Sequence, residues 1–163
     1  MEDKAVESRI QEYSTKLKNL KVTDANELNK LVDQINELNA NSACFENKVT
    51  EDMLLNIAKL IPPGNDHIIS KFSSLIYFLI IKQKVVLHAT CIESLSAFMI
   101  SAIRMSGEWV LNDLLIALSA LLSGNTDKVV TLHENLIGKN GVLVQLLIPS
   151  KFDKSVHFNA FNC

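Results

Sequence analysis

The segment VLNDLLIALSALLSGNTDKVVTLHENLIGKNGVLVQLL, residues 110–147, joins three apolar stretches that each end near Gly or Asn. Apolar side chains recur three and four residues apart in these stretches, which is the spacing of one face of an α-helix. Gly124 and Asn125 tolerate the left-handed backbone conformation that often ends a helix. Few side chains in the segment could act as a nucleophile, an acid, a base or a metal ligand. The segment therefore predicts packed helices without a catalytic centre.

The composition of the whole chain favours an all-α globular protein. The 163 residues are 48% apolar and 21% charged, with five glycines and three prolines. So few helix breakers, together with abundant Leu, Ile, Ala, Lys and Glu, indicate helices rather than strands. A chain of this length is expected to bury roughly 70% of the surface that its unfolded form exposes.

Charge and hydropathy disfavour two classes of partner. The formal net charge is −2, and only Arg9 and Arg104 among the sixteen basic residues are arginines. Because arginine is the usual choice for phosphate and guanine contacts, nucleic-acid binding is disfavoured. The longest unbroken apolar run between residues 72 and 107 is Leu75–Ile81, far shorter than the roughly 20 residues that a bilayer requires. We therefore expect no membrane span.

Cysteine usage and motif content predict an intracellular protein without catalysis. Cys44, Cys91 and Cys163 are odd in number and widely spaced, which favours a reduced compartment, cytoplasmic or nuclear, over a disulfide framework. His88 and Cys91 lie three residues apart, but two ligands do not make a zinc site. No glycine-rich phosphate loop or nucleophile–base pattern is present. The sequence thus predicts no metal, no cofactor and no enzymatic activity.

The chain divides by composition near residue 45. Residues 1–45 are polar and carry two helical stripes joined by a short turn, with Asp24 and Glu27 spaced as a capping box. The stripes are Val6, Ile10, Tyr13, Leu17 and Leu20, then Leu28, Leu31, Ile35 and Leu38. We expect a helical hairpin whose apolar edge caps the larger unit, residues 46–163. The alternative is a dimerising coiled coil, which would make the protein a homo-oligomer.

An internal repeat of 42 residues runs through the larger unit. When the sequence is aligned with itself at an offset of 42 residues, the turn PPGND aligns with RMSGE, so that the helix-breaking residues of both copies coincide. The apolar positions also coincide: Ile61 with Ile103, Ile68 with Val110, Ile69 with Leu111, Phe72 with Leu114, Leu75 with Ala117, Ile76 with Leu118, Leu79 with Leu121, and Ile80 with Leu122. Repeats of this length are typical of helical solenoids.

The stretches VLNDLLIALSALLSG, residues 110–124, and KNGVLVQLL, residues 139–147, resemble the armadillo-repeat family, and the likeness covers residues 50–163. It implies a right-handed superhelix of two to three armadillo- or HEAT-like repeats, each with a short first helix and two longer ones. The helices would cover 51–61 and 66–82, then 85–92, 94–104 and 108–123, then 127–137 and 141–148. A final helix would begin near Lys154 and be cut short, so we expect a fragment of a longer solenoid or a truncated last repeat.

The resemblance also implies a concave surface formed by the third helices. In relatives that grip extended peptides, this surface carries a Trp and, four residues later, an Asn. The Trp position corresponds to Ser74 and Ile116, and the Asn position to Phe78 and Ala120, so neither copy keeps the pair. Phe78, Ile116 and Ala120 would instead form an apolar groove suited to an amphipathic helix, unless neighbouring helices cover them.

The predicted function is therefore a non-catalytic scaffold that binds a helical segment of a partner protein. Lys71 and Asn112 would lie at the rim of the groove and set the register of the partner. Trp109 would be a packing anchor between repeats or, alternatively, a binding-site residue. The competing hypothesis is a nucleic-acid-associated scaffold, which would need a basic ridge formed by Lys71, Lys82, Lys84 and Lys128.

Overall fold

Helices are the only regular secondary structure in the part of the chain that the structure describes. A computed structural model describes residues 2–41, 47–123, 132–139 and 141–146, together with Val156, Asn159, Ala160 and Cys163. No strand occurs among these residues, and none of their helices is long and apolar enough to cross a membrane. The helices are α1 (Glu2–Asn19), α2 (Ala25–Asn41), α3 (Asn47–Leu60), α4 (Asp66–Tyr77), α5 (Ala89–Met105), α6 (Glu108–Leu122), α7 (His133–Ile137) and α8 (Val142–Leu146).

The predicted hairpin at the start of the chain is formed by α1 and α2, which pack against each other. The Asp24 carboxylate accepts a hydrogen bond from the Lys21 backbone N–H at 2.9 Å, which closes the turn between the two helices. Glu27 pairs with Lys30 at 3.0 Å and does not complete the expected capping box. The apolar stripe on α1 packs against other helices of the same chain: Ile10 and Leu17 are buried, and α1 contacts α3.

The predicted helix over residues 66–82 is present, but its last turn changes form. Asn65, one residue before the expected cap Asp66, accepts a hydrogen bond from the Ile68 N–H at 3.3 Å. After α4, residues Phe78–Lys82 continue as a π-helical turn, in which the Gln83 N–H donates to the Phe78 carbonyl at 3.1 Å. A π-helical turn widens the helix and leaves its side chains out of phase with the α-helix before it.

The expected short helix at 85–92 followed by a second helix at 94–104 is wrong. Residues 83–88 are not helical, and α5 runs without a break from Ala89 to Met105. The buried residues Cys91, Leu95 and Met99 continue at a spacing of four through the predicted break. Because neither Glu93 nor Ser94 is a helix breaker, the helix has no reason to stop there. The unit that contains α5 and α6 therefore has two helices instead of three.

The first six helices form two rows. In the odd row α3 packs against α1 and α5, and in the even row α4 packs against α2 and α6. Equivalent positions are buried at intervals of 40 to 42 residues along each row. In the odd row these sets are Ile10, Thr50 and Ile92; Ser14, Leu54 and Ser96; and Leu17, Ile57 and Met99. In the even row they are Leu28, Ile69 and Leu111; Leu31, Phe72 and Leu114; Ile35, Ile76 and Leu118; and Leu38, Leu79 and Leu121.

The predicted break at Gly138 and Gly141, between the last two described helices, is present. Helices α7 and α8 pack against each other on either side of Gly138 and Gly141, and α8 also contacts α5. A Cβ at Gly141 would overlap the Leu136 carbonyl, so this close approach requires glycine. The predicted helix start at residue 127, the cap at Gly124 and Asn125, and the final helix from Lys154 lie outside the described residues.

The end of the π-helical turn generates a stability prediction. Lys84 has a φ of 58°, a left-handed conformation that is strained for a residue with a Cβ. Lys84→Gly should raise the free energy of unfolding by about 0.5–1 kcal/mol, measured by urea denaturation, because the relief of strain exceeds the added chain entropy.

The matched control is Lys59→Gly, at an exposed position in the last turn of α3. This change should lower the free energy of unfolding by up to about 1 kcal/mol, as glycine does inside helices. Destabilisation by both substitutions would contradict the left-handed conformation at Lys84.

Candidate interaction surface

The seven residues singled out from the sequence all lie on two neighbouring helices of the even row or on the π-helical turn. Lys71, Ser74 and Phe78 belong to α4 and the turn that follows it. Trp109, Asn112, Ile116 and Ala120 belong to α6. The contact between α4 and α6 is the most extensive one between any two described helices. The two sets of residues therefore lie side by side.

An uncharged concavity lies between the carboxyl-terminal halves of these elements, and we call it the apolar groove. Tyr77 and Ile81 line its α4 side, and Ile116, Ser119, Ala120 and Ser123 line its α6 side. Its volume is about 210 Å³. Small side chains on α6 face large side chains on α4, which opens a gap between the two helices.

The remaining lining residues come from deeper in α6 and from the end of the described chain. Leu115 is fully buried, and Asn159 lies at the rim. The Asn159 side-chain amide donates to the Asn112 side-chain oxygen at 2.9 Å. Asn112 therefore binds another part of the chain and is not itself among the residues that line the groove.

The structure places two of the three expected groove residues in the apolar groove. Ile116 is 40% exposed there, whereas Ala120 is buried at the base. Phe78 is half-buried and does not line the groove, and Ser74 is exposed. Tyr77 and Ile81 take the place expected for Phe78.

Sequence reasoning missed Tyr77 and Ile81 because it transferred the Trp and Asn positions of peptide-binding relatives. The two residues are four apart, the spacing at which side chains share one side of a helix. They correspond at the repeat interval to Ser119 and Ser123, which are also in the groove. A search for large residues opposite small ones at that interval would have found them.

Lys71 was expected at the rim of the groove but instead joins α4 to α2. Its ammonium group lies 2.8 Å from an Asp33 carboxylate oxygen and donates to the Asn29 side-chain oxygen at 2.9 Å. Asn36 on α2 also donates to the Lys71 carbonyl at 3.4 Å. Lys71 therefore fixes the register of neighbouring helices within the chain.

Further polar contacts join α4 to α6. The Ser70 hydroxyl donates to the Asp113 carboxylate at 2.7 Å, and the Gly107 backbone N–H donates to the Asp66 carboxylate at 3.0 Å. These partners are 43 and 41 residues apart, close to the repeat interval. The contacts set the axial position of one helix against the next, which apolar packing alone specifies less sharply.

The lysines of the competing nucleic-acid hypothesis occupy different surroundings. Lys71 is paired with Asp33, whereas Lys82 and Lys84 are exposed at the opposite end of α4. Lys128 lies outside the described residues. Lys71 therefore does not present a free charge alongside the other two lysines.

Trp109 lies at the other end of the α4–α6 pair, far along the helices from the apolar groove. It is 57% exposed, and its ring centroid is 5.4 Å from that of His67, with the planes tilted by 54°. This contact links α6 to α4, while one side of the indole remains open to solvent.

Of the described cysteines, Cys91 is buried and Cys163 is half-buried, and both are free thiols. Burial raises the pKa of Cys91 to about 12, with smaller contributions from Glu51 and Asp52, and burial also raises the pKa of Cys163 to about 12. The Glu51 carboxylate lies 2.7 Å from both the Nδ1 and the backbone nitrogen of His88. No group of three His, Cys, Asp or Glu side chains in the described parts of the chain is arranged to hold a metal ion.

A prediction of thiol reactivity follows from these pKa shifts. Since a thiol with a pKa of about 12 is protonated at neutral pH, native Cys91 should resist alkylation by iodoacetamide. It should react fully once urea unfolds the chain. Peptide mapping by mass spectrometry measures both states, and rapid labelling of Cys91 in the native protein would contradict its burial.

No family model matches the chain, and no solved structure matches it significantly. The resemblance to armadillo repeats therefore stays a prediction that rests on residues 110–124 and 139–147 and on the repeat interval. The function has to be inferred from the surfaces of the chain itself.

Proposed function

We propose that this chain is a non-catalytic scaffold, a short right-handed solenoid of armadillo- or HEAT-like repeats that binds a helical segment of a partner protein. The observation that carries the proposal is the apolar groove between α4 and α6, where Tyr77, Ile81 and Ile116 remain partly accessible. An accessible apolar surface on a globular protein is a common mark of an interaction site.

The solenoid arrangement is supported by the recurrence of buried positions. In a solenoid, each layer hides its apolar face against the next layer and touches only its neighbours. The even row has this arrangement, because α4 lies between α2 and α6. The odd row has it as well, because α3 lies between α1 and α5. In this arrangement, the N-terminal hairpin is the first layer, and pairs of helices are the repeating units.

The lining of the groove favours a helix as the partner. A ligand helix presents apolar side chains at intervals of three and four residues, and these can enter a furrow between two parallel rows of side chains. The named lining residues carry no charge, so a partner's aliphatic side chain would meet no unpaired ion there. Ser119, Ser123 and Asn159 supply polar groups in the lining.

We also propose an intracellular location, cytoplasmic or nuclear. Cys91 and Cys163 are both free thiols, and neither has a disulfide partner among the described residues. Free buried cysteines are typical of reducing compartments. Cys44 lies outside the described residues.

The groove can be tested with selected peptides. A display library of amphipathic helical peptides is selected against the native chain, and the affinity of each binder is measured by titration calorimetry. Ile116→Glu should weaken these binders at least about ten-fold, because the new carboxylate loses water when an apolar side chain covers it.

The matched control is Ile137→Glu on α7, where the isoleucine is 65% exposed and distant in sequence from the groove. Thermal unfolding should show that both variants remain folded. The proposal is wrong if Ile116→Glu binds the peptides as tightly as Ile137→Glu does, or if the selection yields no helical binder.

A further inference from the structure

A second concavity lies at the opposite end of α4 and α6, and we call it the aromatic cleft. Its walls are Pro62, Pro63, Asn65, Asp66, His67 and Trp109, and its volume is about 570 Å³. It is shallow and is shaped mainly by flat rings. None of these residues lines the apolar groove, so the two surfaces are separate.

The aromatic cleft is held in shape by contacts that do not involve a ligand. The diproline has restricted backbone torsions, and Gly64 has a φ of 77° in the turn that follows it. The Asp66 carboxylate binds the Gly107 N–H at 3.0 Å, which holds the start of α6 against the start of α4. The rings of Trp109 and His67 rest against each other at 5.4 Å.

Gly107 allows the Asp66 carboxylate to approach the backbone at the start of α6. A Cβ at Gly107 would be 2.9 Å from the Asp66 Oδ2, so this carboxylate would have to shift. The same Cβ would be 3.4 Å from the Trp109 Cδ1, an ordinary van der Waals contact.

The chemistry of the aromatic cleft indicates what it can bind. An indole that is 57% exposed offers a broad apolar face, and its Nε1–H makes no hydrogen bond within the described part of the chain. The lining contains one carboxylate and no lysine or arginine. A neutral or basic ligand fits this charge, whereas a phosphate group would meet the Asp66 carboxylate without a compensating cation.

A polyproline II segment has the matching properties. Its backbone carbonyls make no internal hydrogen bonds and are solvated, so one of them can accept a hydrogen bond from the indole N–H in place of water. Its prolyl rings are rigid and flat enough to lie against an exposed aromatic face, and the helix is already extended before binding, which lowers the entropic cost. An α-helix, in contrast, hides its own carbonyls and presents branched side chains that suit the deeper apolar groove.

We propose that the aromatic cleft binds a proline-rich segment of a partner protein in the polyproline II conformation. A prolyl ring lies against the open face of Trp109 between His67 and the Pro62–Pro63 wall. A carbonyl of the segment accepts a hydrogen bond from the indole Nε1–H. This surface is additional to the helix-binding groove and does not depend on it.

Trp109 is the chain's only tryptophan, so its fluorescence reports directly on the aromatic cleft. The probe is a capped ten-residue proline peptide, and a capped alanine-rich peptide of about twenty residues, long enough to be helical in water, is the comparison. The proline peptide should change the intensity and position of the indole emission in a saturable way, and the helical peptide should not. Nuclear magnetic resonance should place the shifted amides in residues 64–67 and 107–109.

Substitutions distinguish binding at a specific site from non-specific binding. Trp109→Ala, measured by calorimetry, should weaken the proline peptide about thirty-fold, as loss of a central aromatic contact does. Ile116→Glu should leave the affinity for this peptide unchanged, so failure of the groove proposal and failure of this one are distinguishable.

Several results would overturn the inference. One is the absence of saturable binding by the proline peptide to the native chain. Another is an affinity that Trp109→Ala leaves unchanged while the variant stays folded. A third is a stronger response of the indole to oligothymidylate or to anionic phospholipid vesicles, since either would assign the aromatic cleft to an anionic ligand instead of a peptide.

Discussion

The burial of α4 between α2 and α6 is the constraint on which the rest of the molecule depends. Phe72, Leu75 and Ile76 on this helix are fully buried. Burying a side chain of this size contributes roughly 1.5–3 kcal/mol relative to leaving it exposed. Because α4 has apolar contacts on both sides, a hairpin taken alone could not cover it. The ring of Phe72 also meets Phe98 on α5 edge-on at 5.6 Å, which ties the two rows together.

Apolar packing brings the helices together, and polar contacts set how far each is shifted along its neighbour. Lys71 bonds to Asn29 and Asp33 across one junction, and Ser70 bonds to Asp113 across the next. Asp33 is exposed, but the other partners are partly buried, so a shift of either helix would cost them hydrogen bonds and one register is favoured at each junction. The spacing of the two candidate surfaces along α4 and α6 follows from this register.

The two surfaces differ because side-chain size differs at the two ends of one helix pair. At the carboxyl-terminal end, Ser119 and Ser123 are too small to fill the space opposite Tyr77 and Ile81, so a neutral furrow remains. At the amino-terminal end, the indole of Trp109 is too large to be covered and stays partly exposed. Apart from Tyr77, the apolar groove is lined by aliphatic and small groups, whereas rings dominate the aromatic cleft, which is why we assign them different ligands.

Much of the helical pattern could be predicted from the sequence, and the predictions that were wrong have physical causes. The extent 66–82 was correct because apolar periodicity and the Pro62–Pro63 turn mark it clearly. The break in α5 was wrong because a three-helix repeat was imposed on a segment that contains no breaker. Lys71 was assigned to a rim because a sequence does not reveal that Asp33, 38 residues away, will neutralise it.

By itself, the sequence determined the helical class and the spacing of the apolar positions, because these follow from local periodicity and from side-chain chemistry. Only the tertiary structure decided that residues 2–41 pack against α3 and α4 as another pair of helices, and that Tyr77 and Ile81 line the apolar groove where Phe78 was expected. Exposure depends on what lies across from a side chain, and that neighbour is usually about forty residues away in this chain.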